Sequence, residues 1–461
     1  MAQRDPDSTL LHLLRRTTFG FTQAEWEAAR ALGWEAWLET QLEPESLDDS
    51  EVETLLQTET PTIFWSVEQL DAALRADQVQ PNQVANELIG ATLYRALYSP
   101  RRLYELVVDF WSNHFNIAQR QSAILTVFKT IDDREVIRPH AFGRFRDLLG
   151  ASAHSPAMLN YLDNASNTVD GPNENYAREI MELHTLSVEG GYTEEDVREV
   201  ARCFTGWGIG RRGARRGRFQ FYPRRHDDGA KTVLGTAIAA GGGEQDGEQV
   251  LDLLADHPGT AQFIAFKLCR RLVSDQPPDA LVSDVAASFQ ASGGDIREAL
   301  RSLLFSDVFL DAADAKFKRP LEYLCSATKA LDLSLDGRGL RDLGRGLRDL
   351  GQSPFAWSPP TGYPDVASAW DSTAALLGRW NRTGFAARSR RLGADFSPYT
   401  EDADSPETLA DRLIDGLLHR PMDSADRQQV VDYIAAGGRG FCRRAPDAAA
   451  LILAASDFQY R

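Results

Sequence analysis

Residues 173–186 read Asn-Glu-Asn-Tyr-Ala-Arg-Glu-Ile-Met-Glu-Leu-His-Thr-Leu and form the densest cluster of reactive side chains in the chain. Apolar periodicity predicts a helix over 175–188. Glu179 and Glu182 are three apart and share a face, which Asn175 and Leu186 extend. Buried carboxylates are costly unless paired, protonated or bound to a cation. Either glutamate could therefore act as a general acid/base or as a metal ligand. Glu174, Arg178 and Glu182 also stand at i, i+4 and i+8, so Arg178 can clamp either acid and lock two helices together. Both readings stay open at this level. His184 points about 200° round a regular helix from Glu182, so Glu179, Glu182 and His184 cannot all ligate one ion.

A second stripe lies on a predicted helix over 101–118. Glu105, Asp109, Asn113 and Asn116 line one side, while Leu103, Val107, Phe110 and His114 line another. Amides and carboxylates on an otherwise apolar helix can orient a substrate or a histidine. His114 is either a satisfied core residue or a metal ligand and proton shuttle. His226-Asp-Asp-Gly229 occupies a predicted turn, where Asp-Gly is ordinary turn chemistry. Its functional reading sets His226 and Asp227 against the Glu179 face as metal ligands. Trp111, Asn173, Trp207 and Arg224 are expected to bind substrate. No cofactor is specified by these residues beyond a divalent metal.

The loop 207–225 contains Gly208-Ile-Gly-Arg-Arg-Gly213, which matches a dinucleotide fingerprint only formally, because no strand precedes it and no helix follows. Its arginines are either a solvated loop balancing nearby acids or a docking surface for an anionic partner.

These residues have to be positioned by a mainly α scaffold. Thr22-Gln-Ala-Glu25 and Thr193 with Asp196 are capping boxes. Helices are expected over 83–98, 133–150, 155–163, 244–256, 259–274, 279–291, 295–305, 318–333, 366–391, 406–418, 424–435 and 446–455. Residues 44–62 read as a surface loop, and the proline-rich 353–364 as irregular chain. Phe219-Gln-Phe-Tyr and Lys231-Thr-Val-Leu are expected to pair as one β-hairpin around His226. The fold class is a large multi-helix domain with one small β-hairpin. It is read as one domain over 1–461, with sub-domain boundaries near 165 and 275.

The 461 residues carry 43% hydrophobic and 25% charged side chains, an ordinary globular balance. A net charge of −17 argues against general nucleic-acid binding. The cations are 44 arginines and only 6 lysines. Cysteines at 203, 269, 325 and 442 form no Cys-x-x-Cys pair and are expected as free thiols among apolar neighbours. No apolar run reaches membrane-spanning length, and no signal peptide is visible, so a cytoplasmic location is expected.

Several stretches together resemble one family. They are Leu13-Leu-Arg-Arg-Thr-Thr-Phe-Gly20, Phe110-Trp-Ser-Asn-His-Phe-Asn116, Asn173 through Leu183, Phe204-Thr-Gly-Trp207, His226-Asp-Asp-Gly229, Lys318-Arg-Pro320 and Trp357-Ser-Pro-Pro-Thr-Gly-Tyr-Pro364. They resemble the bacterial domain-of-unknown-function family DUF1800. The resemblance brings no established activity. It implies relatives that are exported and encoded beside alkaline-phosphatase or sulfatase-like proteins, hence a sulfatase-like partner. The reading that follows is an enzyme, a metal- or carboxylate-dependent hydrolase or lyase acting on a polymer. Its cleft would lie between helices 101–118 and 175–188, closed by loop 208–229. The alternative is a non-catalytic binding or assembly protein.

Overall fold

The computed structural model describes residues 4–389 and 391–461. Among the described residues helices dominate, and strands are confined to two two-stranded antiparallel sheets. Buried apolar side chains from Leu10 to Phe458 form one continuous core. Among the described residues, no helix is long and apolar enough to cross a membrane.

The helix Arg102–His114 is buried around most of its circumference. It ends four residues earlier than its apolar pattern suggests, and Asn116, two residues past the end, turns its amide to a distant segment. The helix expected over 133–150 is instead broken. Helix Ala123–Asp132 runs into a π turn, Asp133–Ile137, and a last helical turn, Arg138–His140, after which the chain turns through Gly143. There the Gly143 carbonyl accepts the Ile296 N–H at 3.0 Å, and Phe145 N–H donates to Gly294 O at 2.8 Å. A new helix, Phe145–His154, follows. Residues 44–62 are not a loop: they contain the helix Ser50–Glu59, docked through Val52 and Leu56 at i, i+4.

Both predicted strand segments are strands, but they do not pair with each other. Trp207–Ile209 pairs with Phe219–Phe221, and Lys231–Val233 pairs with Thr236–Ile238. The second hairpin turns through Leu234 and Gly235, both at positive φ (50° and 76°). That is the backbone of a type I′ turn, which a leucine rarely enters. The Asp196 carboxylate explains it by accepting the Leu234 N–H at 2.7 Å. His226 therefore lies between two hairpins rather than at the tip of one.

The helix Asn175–Glu179 continues as a π turn, Ile180–Thr185, with Leu186 N–H bonding five residues back to Met181 O at 2.8 Å. Such turns insert a residue into a helix and recur at functional sites. Here the turn buries His184. Residues 353–364 contain no regular element and cross the C-terminal end of helix Arg102–His114 as a strap.

Candidate functional site

Asn113 and Asn116 are spent on the strap. The Asn113 amide donates to Tyr363 O at 2.9 Å and accepts from Tyr363 N–H at 2.7 Å, as a neighbouring strand would. Asn116 donates to the carbonyls of Trp357 and Pro359 at 2.9 and 2.7 Å. Tyr161 donates its hydroxyl to Ser358 O at 2.5 Å. Only an amide side chain supplies both a donor and an acceptor in this way. Gly362 makes the close approach tolerable. It sits at φ 71°, and a Cβ there would lie 2.2 Å from Asn113 O. Replacing it with alanine is expected to lift the strap and cost about 2 kcal/mol, from backbone strain plus lost hydrogen bonds. Proteolysis between residues 353 and 364 should then quicken. Unchanged cleavage and stability would contradict this role.

Beneath the strap is a small cavity of about 40 Å³, lined by Asp109, Ser112, Asn113, Arg319, Phe355 and Tyr363. It has room for a few ordered waters, and the Ser112 hydroxyl lining it is buried without a partner.

The glutamate helix divides its acids into two kinds. Arg178 meets Glu174 at 3.3 Å, Glu182 at 3.6 Å and Glu194 at 2.7 Å. Glu194 opens the next helix, so Arg178 joins two helices as the ladder spacing allowed. Glu179 is different. Among the described residues, no cation lies within ion-pair distance of it and no donor bonds it. Burial raises its carboxyl above the ordinary value, Glu182 adds to the rise, and Arg178 opposes it. Tyr161 is nearby: burial and then the charge of Glu179 push its phenol up to about 12. Asn173 accepts the Asn175 N–H at 2.9 Å, and Asn175 donates to Leu162 O at 3.2 Å. These two asparagines shape the start of the helix.

The expected metal ligands His114, His226 and Asp227 are not brought together. His114 Nε2 meets His184 O at 3.1 Å and its Nδ1 meets Lys267 Nζ at 2.8 Å. Burial, aided by Lys267 and His184, holds this imidazole neutral, well below the usual range. His226 Nδ1 faces Thr205 O at 2.8 Å, and its Nε2 faces Asp246 at 3.1 Å, so neither nitrogen is left for an ion. Asp246 also holds Lys231 at 2.5 Å. Asp227 takes the fork of Arg202 at 2.7 and 3.2 Å, which lowers its carboxyl to about 2. Among the described residues, no group of three or more His, Cys, Asp or Glu side chains is arranged to hold a metal ion.

Both tryptophans assigned to substrate are core residues. Trp111 is fully buried and donates to Ala141 O at 3.1 Å; Trp207 is fully buried and stacks on His154 at 4.5 Å. Arg224 is exposed on the short turn Pro223–Arg225. The arginine loop does not close over helix Arg102–His114. Arg216 and Arg218 instead meet Asp71 at 2.8 Å and Glu68 at 3.4 Å on the helix Val67–Arg75. The wall over Asn113 is the strap. The four cysteines are free, and three are buried.

Residues that pattern reading passed over are Tyr161, Lys267, Asp246 and the strap aromatics. The rings of Trp357 and Tyr363 lie 4.9 Å apart. For Lys267 a signal existed: it is one of only 6 lysines in a chain that otherwise uses arginine.

No curated protein and no solved structure matches the chain. One family model does, over residues 12–460, and it spans the strap, the glutamate helix and His226 alike. The chain belongs to that family, described as protein of unknown function (DUF1800).

Proposed function

We propose that this chain is a hydrolase or lyase in which Glu179 is the general acid, acting on a polymer laid across the outside of the strap. The observation that carries the reading is the Glu179 carboxyl itself. It is half-buried, raised in pKa and, among the described residues, without a cation or donor of its own, while its neighbours Glu174 and Glu182 share Arg178. A carboxyl kept protonated longer than usual suits proton donation to a leaving group. Tyr161 ties that region to the strap, whose partly exposed Trp357 offers an apolar face for substrate. The cavity beneath the strap, about 40 Å³, is too small to hold a length of polymer, so this reading puts the substrate on the strap's outer surface. Turnover of a polysaccharide and polypeptide panel, followed by product-end and unsaturation assays, tests the reading. Activity should be present in the wild type and lost in Glu179→Gln. Equal activity in both proteins would defeat it.

A second reading, a binding protein with a sulfatase-like partner, is supported by one surface. The helix Thr373–Arg388 exposes Leu377, Trp380 and Phe385 by 56%, 54% and 53%. Isolated exposed apolar residues are common, but several on one helix mark interaction surfaces. Changing all three to serine should weaken partner capture at least tenfold and leave the melting temperature unchanged. Capture equal to the wild type would remove this surface from consideration.

A further inference from the structure

The 6 lysines of this chain are not distributed as surface cations. Five are buried: Lys129, Lys231, Lys316, Lys318 and Lys329. Four of these face a carboxylate, at 2.8 Å for Asp132 and 2.5 Å for Asp246, Asp275 and Glu25 respectively. The fifth, Lys318, donates to Ser326 at 3.0 Å beneath the ring of Phe458. Lys267 alone is only half-buried. Among the described residues, no carboxylate lies within ion-pair distance of its amine, and its one hydrogen-bond partner is His114 Nδ1 at 2.8 Å.

That partner is unusual for an ammonium. The carbonyl of His184 takes the proton on His114 Nε2, so Nδ1 presents a lone pair to Lys267 and no negative charge. The groups facing the amine are His114 and, behind it, His184, with the Phe263 ring at 5.3 Å, Arg270 on its own helix and Asp365 at the end of the strap. Asp365 is already engaged at 3.7 Å with both Arg271 and Lys316.

We propose that Lys267 is a nucleophilic amine that captures an aldehyde or ketone as an imine, at the edge of the strap beside Asp365. The Nζ lone pair forms the new bond to the carbonyl carbon. The carbonyl oxygen takes both protons from the nitrogen and leaves as water, so no oxidant or reductant is consumed. His114 is a positioning residue: it holds one N–H and leaves the nitrogen lone pair free to point elsewhere. Burial, reinforced by Arg270 and opposed by Asp365, lowers the amine to about 8. Roughly one molecule in ten then carries the free amine at pH 7. A lysine in this setting is the type that supplies Schiff-base chemistry.

The test treats the folded full chain with glycolaldehyde and cyanoborohydride at pH 7.5, then maps the reduced adducts by peptide mass spectrometry. Lys267 should be alkylated at least tenfold more than any of the other five lysines, with the N-terminal amine as an internal reference. Lys267→Arg should lose that adduct alone, and His114→Gln should slow it. If a variant fails to fold, the wild-type adduct map decides by itself. Labelling of Lys267 no greater than that of the buried lysines, or only after denaturation, would overturn the proposal and leave Lys267 as a tie between two helices. The labelling requires no turnover, so it reads Lys267 independently of Glu179.

Discussion

Glu322→Ala is expected to destabilise the chain by about 3–5 kcal/mol, the loss typical of stranding buried charges. Glu322 is 1% exposed. Its Oε1 meets Arg271, Arg319 at 2.9 Å and Arg461 at 3.3 Å, and its Oε2 accepts the Arg319 N–H at 2.7 Å. Those three guanidiniums come from well-separated parts of the chain and are each nearly inaccessible. Asp109 holds Arg319 at 2.6 Å and Arg271 at 3.3 Å, but among the described residues no second acid meets Arg461. Removing Glu322 leaves more buried positive charge than Asp109 and Asp365 can offset. Whole-protein stabilities are about 5–15 kcal/mol, so the variant should show a large fall in denaturant midpoint. A loss below about 1 kcal/mol would show that water or rearrangement satisfies the cluster.

The same carboxylate fixes a pH dependence. Burial alone would raise its pKa, but Arg271, Arg319 and Arg461 hold it well below the ordinary value. A depressed native pKa gives stability that is fully present above the unfolded value, about 4.3, and is lost as pH falls toward the native one. The gap between wild type and Glu322→Ala should therefore shrink in acid and stay constant above about pH 5. A gap that widened on acidification would contradict the assignment.

Local signals in the sequence carried the scaffold, while long-range contacts escaped it. The capping boxes at Thr22/Glu25 and Thr193/Asp196 form as written, because they depend on residues three apart. The helix Ser50–Glu59 was hidden because only Val52 and Leu56 mark its buried side, too few for a period to stand out among acids and threonines. The hairpin at Leu234 was hidden because Asp196, 38 positions away, holds a turn that leucine would not choose. Proline content made the strap legible as irregular chain, yet its anchorage rests on Asn113 and Asn116, some 240–250 positions distant. The candidate site was legible in part for the same reason. The Glu174–Arg178–Glu182 ladder is local, and it appears as spaced. Whether Glu179 lacked a cation depended on neighbours that only the fold supplies. His114 and His226 read as ligands because a histidine's spacing does not reveal which of its nitrogens is already committed.

Glu179→Gln is the variant expected to change function most and stability least. General acid catalysis contributes about 10²–10⁴-fold, so turnover should fall by at least a hundredfold. The stability sign follows from the raised carboxyl. The native state binds this proton more tightly than the unfolded chain, so ionised Glu179 costs stability above its native pKa, and the cost disappears as pH falls below it. Glutamine removes that cost while preserving shape, so the variant should melt no lower than wild type at pH 7, and the two should converge in acid. Arg178→Ala should behave oppositely: it releases Glu174, Glu182 and Glu194 and should lower the melting point. Activity should fall as pH rises through the native pKa of Glu179, because the acting form is the protonated one. If Glu179→Gln instead melts as low as Arg178→Ala, Glu179 belongs to the helix-locking network and the acid must be sought elsewhere. The decisive contrast is between two adjacent residues on one turn of helix: one bound to three partners, the other left without any.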